Sequence, residues 1–141
     1  MIFKFLNKDK QKLDINKESI NIACLLIHAA KIDENYTSEE REIIKKTVIK
    51  LYPNLNNLND IVSKAEQKEN DSSHIQEFTR DVKSLSMENK LIIVETLWTI
   101  ILSDGKSDMY ENNLMRRLAG LLYLDDKIIG ETKVKILERK K

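Results

Sequence analysis

The sequence predicts an all-α protein, a compact bundle of about six to seven helices with an internal pseudo-two-fold duplication. Three observations point there. Apolar residues recur at three- and four-residue intervals along nearly the whole chain, with no alternating strand pattern and no hairpin turn. Among 141 residues there are three Gly and one Pro, against 33% charged and 41% hydrophobic residues, a composition suited to helices and able to bury a core in one domain. The sequence also matches itself when shifted by 71 residues.

The opening stretch, residues 1–12, carries Ile2, Phe3, Phe5 and Leu6 with a basic flank of net charge +3. It lacks the apolar core and cleavage site of a signal peptide. Such a patch is able to touch an anionic membrane surface, but it is too short to anchor alone. Packing of the four apolar residues on the helical core is the favoured expectation. Residues 18–32 are apolar nearly all round, which marks a central buried helix. Cys24 lies in its apolar run and reads as a buried, inert thiol. His28 sits in the same helix with no acid beside it in sequence and reads as a packed core histidine.

Residues 39–52 form an amphipathic helix through Ile43, Ile44, Thr47, Val48 and Leu51, stopped by Pro53. Leu55, Leu58, Ile61, Val62 and Ala65 mark a third helix, residues 68–73 (KENDSS) a loop, and Ile75, Phe78, Val82 and Leu85 a fourth helix. Ser86 is an N-cap for a second all-apolar helix, residues 87–102, followed by a Ser103-Asp104-Gly105 break. Residues 109–123 are amphipathic through Leu114, Met115, Leu118 and Leu122. Asp125 caps a last helix whose tail, residues 133–141, has net charge +4, as suits a helix C-terminus.

The shift of 71 pairs Ile22 with Ile93, Leu26 with Leu97, Leu51 with Leu122 and Tyr52 with Tyr123. Apolar matches arise between any two amphipathic helices. The pairs Asp33 with Asp104 and Glu40 with Glu111 do not, because they fall in and beside loops. Each unit, residues 18–53 and 87–124, is thus a buried helix, a short acidic loop and an amphipathic helix, with connecting helices at about 55–85. One hairpin cannot cover its all-apolar helix, so the two buried helices should pack together at the centre.

Each loop places an Asp at a helix end and a Glu seven residues on. Residues 33–42 carry net charge −4 and residues 104–111 carry −2. Four carboxylates, with Asp108 a fifth, offer hard oxygen ligands to a divalent cation such as Ca²⁺, Mg²⁺ or Mn²⁺ if the loops share one end of the bundle. An alternative accounts for part of this. Thr37 and Glu40 fit a capping box, and Asp108 with Glu111 a looser one, with no metal needed. Asp33 and Asp104 are not explained by capping, since each follows a helix C-terminus, where the dipole disfavours negative charge. An EF-hand is excluded: its Gly and Glu positions are Met109 and Met115 in one loop and Ser38 and Ile44 in the other.

An apolar helix, an Asp-Gly-type loop and a Glu seven residues after the Asp, occurring twice, resembles the tellurite-resistance protein B (TerB) superfamily over about residues 15–138. That resemblance implies a helical bundle whose duplicated acidic positions, Asp33, Glu40, Asp104 and Glu111 here, are a metal site. The superfamily also includes a domain at the N-terminus of some DnaJ-type co-chaperones, but no J-domain signature is present. Only the second loop keeps Asp-Gly; the first has Glu34 in place of Gly105.

The function classes narrow accordingly. A net charge of +1 lacks the basic excess of a general nucleic-acid binder. No phosphate-binding Gly-rich loop, di-iron Glu-x-x-His pair or Cys–His nucleophile pattern is present, and His74, with Asp71 and Glu77 three residues to either side, does not complete one. No catalytic residue and no cofactor beyond the cation is expected. With no membrane span and one unpaired cysteine, the expected setting is the cytoplasm. The expected role is a stress-associated, non-enzymatic module binding a divalent cation. The alternative is a protein-interaction scaffold without a ligand.

Overall fold

The computed structural model describes residues 2–32, 36–71, 75–103 and 109–139, with side chains from residue 15 onward in the first of these stretches and from residue 77 onward in the third. Among the described residues there are seven α-helices, one 3₁₀ turn and no strand: α1 (Ile2–Ala30), α2 (Ser38–Leu51), α3 (Leu58–Asp71), α4 (Ile75–Thr79), the 3₁₀ turn (Val82–Ser84), α5 (Met87–Ile101), α6 (Met109–Leu121) and α7 (Asp126–Arg139).

The two all-apolar segments are the inner layer. Residues 22–27 of α1 are wholly buried, as are Ile93, Val94 and Leu97 of α5, and the two helices pack against each other. Around them α1 meets α2, α3 and α4, α5 meets α2 and α7, α2 meets α3, and α6 meets α7. The outer helices contribute one apolar stripe each: Ile44 and Val48 from α2, Ile61 and Ala65 from α3, Leu114, Met115 and Leu118 from α6, Ile129 and Ile136 from α7. Trp98, which the shift of 71 residues places on the apolar Ile27, is 2% exposed. Cys24 is also buried, its thiol donating to the Ala65 carbonyl at 3.4 Å, and burial pushes its pKa up to about 12.

Local signals set most helix ends. The Ser86 hydroxyl accepts the Asn89 amide at 3.2 Å. The Asp125 carboxylate accepts the Lys127 amide at 3.3 Å. The chain leaves α2 at Leu51, two residues before Pro53. The end of α6 is different. The Leu124 amide donates to the Ala119 carbonyl at 2.8 Å and the Tyr123 amide to the Gly120 carbonyl at 3.3 Å. This is a Schellman closure with Tyr123 in the left-handed position, φ 57°, where Gly or Asn is usual. Lys90 reinforces it, its ammonium donating to the Leu122 carbonyl at 3.0 Å.

Three sequence expectations are corrected. The first helix begins at Ile2 and not near residue 18; neither Pro nor Gly interrupts residues 2–30. The stretch 68–73 is not all loop, because α3 continues to Asp71. Lys68 there donates to Asn21 Oδ1 at 2.6 Å, and Glu69 is paired with Lys31 at 2.7 Å, so contacts to α1 hold the last turn. The fourth helix is not continuous from Ile75 to Leu85. It stops at Thr79 and resumes as a 3₁₀ turn, with the Asp81 carboxylate between them accepting from Asn21 Nδ2 at 2.8 Å. The partner on α1 decides where that backbone turns. The expectation that Ile2, Phe3, Phe5 and Leu6 pack on the core falls on side chains outside the described residues.

Candidate cation site and the cleft beside it

Glu40 and Glu111 each occupy the first turn of a helix, and both are buried, at 6% and 8% exposure. At Glu40 the cause is visible. Thr37 is the N-cap of α2, with extended backbone, and its hydroxyl oxygen accepts the Glu40 amide at 3.1 Å. In return Glu40 Oε1 accepts the Thr37 amide at 2.9 Å and its hydroxyl at 3.2 Å. The capping box expected from Thr37-x-x-Glu40 is therefore formed, and it folds the carboxylate back over the helix start. Of the five expected ligands, Asp33, Asp104 and Asp108 lie outside the described residues, as do Gly105 and His74. Among the described residues no three His, Cys, Asp or Glu side chains are grouped so as to hold a metal ion.

The described flanks of the two acidic segments adjoin. His28 and Ile32, at the end of α1, share one open cleft of about 430 Å³ with Tyr110, Asn113, Leu114 and Arg117 of α6. The chain passes from Ile32 into the first acidic segment and from the second into α6. Ile32 and Leu114 supply the apolar part of the cleft, and Arg117 with Asn113 the polar edge. Tyr110, which lines it, is 76% exposed, and the preceding residue, Met109, is 72% exposed.

His28 does not match the sequence reading. It is half-buried rather than sealed in the core, and an acid is beside it: Glu69 Oε1 lies 3.4 Å from His28 Nδ1. Glu69 also takes Lys31, so one nearly buried carboxylate of α3 holds His28 of α1 and Lys31 just beyond its end. The sequence carried no signal for this trio. Glu69 is 41 residues from His28, and it falls in the polar stretch that reads as a loop. Tyr36, at the end of the first acidic segment, packs on the core. Its buried hydroxyl has no hydrogen-bond partner within geometric limits among the described residues, and burial, with Glu66 nearby, raises its pKa above the ordinary phenol value.

Among the described residues no helix is long and apolar enough to cross a membrane. The family model described as tellurite resistance protein TerB matches residues 19–133, most of the chain. The match concerns TerB and not the DnaJ-type co-chaperones. No curated protein and no solved structure matches the chain.

Proposed function

Because the chain belongs to the tellurite resistance protein TerB family, we propose that it is a non-enzymatic, cytoplasmic, stress-associated module that takes a divalent cation through its two acidic loops. The observation that carries this is the pair of buried first-turn glutamates, Glu40 and Glu111. Helix ends support the two-unit reading: α1 and α5 end at Ala30 and Ile101, and α2 and α6 start at Ser38 and Met109, both pairs 71 residues apart. In this reading Asp33, Glu40, Asp104, Asp108 and Glu111 supply the ligands, and Ca²⁺, Mg²⁺ or Mn²⁺ is the ion. The adjoining flanks of the acidic segments support their cooperation.

Calorimetric titration of the three cations into the wild type and an Asp33→Asn/Asp104→Asn double variant tests this. Saturable binding that the folded double variant loses is expected, with a higher melting temperature for the loaded wild type. No binding by the wild type, or equal binding by the variant, overturns it. A second reading, a protein-interaction scaffold with no ligand of its own, is favoured by the exposed Tyr110 lining an open cleft and the exposed Met109 that precedes it. A scaffold binds its partner equally with and without divalent cations.

A further inference from the structure

Lys46 and Lys50 stand one turn apart on α2, both exposed, and neither has a hydrogen-bond or ion-pair partner among the described residues. Like charges at this spacing oppose each other on a helix, so local structure gives no reason to place them together. With Arg139 of α7 they line a cleft of about 190 Å³ between α2, α5 and α7. Its wall holds one carboxylate, Glu95 of α5, and that group is already engaged. Lys135 reaches it at 2.8 Å and Arg139 more loosely at 3.8 Å. Three cations thus line the cleft with one anion, and a fourth, Lys135, pairs with that anion from outside the lining, a local excess of positive charge in a chain of net charge +1 that draws anions.

We propose that this cleft binds a phosphate-class oxyanion. The cations come from two helices on opposite sides, which suits a compact group accepting from several directions. A phosphate presents at least three strong acceptor oxygens and between one and two negative charges at neutral pH, where a carboxylate presents two oxygens and one charge. The floor includes the Thr47 and Thr96 hydroxyls, 2.9 Å apart. Each also lies within donating distance of a carbonyl in its own helix, at 3.1 Å for Ile43 and 2.9 Å for Ile92. Two hydroxyl protons therefore already serve three acceptors. The threonines shape the floor, and the ammonium and guanidinium groups supply the binding charge. The cleft holds a small polar group and has little apolar wall for an organic body, so the phosphate itself is what is recognised, whether free or as a lipid headgroup. The inference is independent of the acidic loops and is tested without divalent cations.

The test is calorimetry of inorganic phosphate into the full chain in chelator-treated buffer, against chloride at equal ionic strength. Saturable binding specific to phosphate is expected. It should weaken at least tenfold in a Lys46→Gln/Lys50→Gln double variant and also in Arg139→Gln. Both changes lie at exposed side chains, and an unchanged melting temperature keeps the comparison valid. Vesicles of phosphatidic acid in phosphatidylcholine separate the sources. Vesicle binding displaced by free phosphate supports the cleft with a lipid headgroup as occupant, and phosphate binding without vesicle binding supports it with a free one. A phosphate effect no larger than that of chloride, binding unchanged in the variants, or vesicle binding with none to free phosphate overturns the proposal.

Discussion

The indole Nε1 of Trp98 donates to the main-chain carbonyl of Ile129 at 3.1 Å, joining the centre of α5 to α7 across 31 residues of sequence. Lys133, one turn beyond Ile129, lies over the same ring at 5.2 Å. Trp98→Phe keeps an aromatic ring but loses the donor and some volume. A cost of about 1–3 kcal/mol is expected in urea unfolding. The wild-type emission should be blue-shifted and resist iodide until the protein unfolds.

Leu26 and Leu97 are fully buried in the two inner helices. Truncating either to Ala should cost about 2–5 kcal/mol, since the surrounding helices close the cavity only in part. Because α1 and α5 pack together, the double variant should depart from the sum of the single effects. A cost below about 1 kcal/mol for either single variant, by denaturant titration, contradicts the central position assigned here.

The Thr37–Glu40 exchange separates capping from cation binding. Thr37→Ala should cost about 0.5–2 kcal/mol. Glu40→Gln keeps an acceptor for the Thr37 amide and should leave stability within about 0.5 kcal/mol of the wild type in the absence of divalent cations. If Glu40 is also a ligand, the same variant abolishes any cation-induced rise in melting temperature.

Tyr123 holds a left-handed backbone at the end of α6 and is 73% exposed. Its ring contacts are two ammonium groups, Lys83 at 5.5 Å and Lys90 at 5.9 Å. Relief of left-handed strain is worth about 1–2 kcal/mol, and exposed cation–π contacts about 0.5–1 kcal/mol each. The two nearly cancel, so Tyr123→Gly should change stability by no more than about 1 kcal/mol in either direction. A thermal melt showing a marked loss would mean that the ring contributes more than its exposure implies.

Cys24 gives a pH dependence of defined sign. Its pKa rises from 9.0 to about 12 on folding because burial disfavours the thiolate. Below pH 9 the thiol is protonated in both states and contributes no slope. Above it the unfolded chain loses a proton that the folded chain keeps, so stability falls as pH rises toward 12, by at most about 1.4 kcal/mol per unit. Cys24→Ala should flatten the first part of that fall, with the buried Tyr36 and Tyr52 phenols, also raised, adding to it at higher pH. At pH 8 the folded wild type should react with a thiol reagent only as fast as it opens.

The sequence by itself determined that this chain is a helical bundle, which two segments lie at its centre, and where most helices begin. Those properties depend on interactions within a turn or two: the all-round apolarity near Ile22 and Ile93, the Thr37-x-x-Glu40 exchange, the Ser86 and Asp125 caps, and Pro53. The sequence spacing singled out Glu40 and Glu111, and each is found buried in the first turn of a helix. Tertiary structure decided the rest. Only helix packing brings Glu69 to His28 and Lys31, pins Asp81 to Asn21 so that α4 ends at Thr79, and faces Lys46 and Lys50 toward Arg139. Tyr123 takes a conformation its side chain disfavours because the chain must turn there to carry α7 back onto Trp98. Partners so far apart in sequence leave no periodicity to read, since their meeting depends on how the helices close around the core and not on the residues beside them.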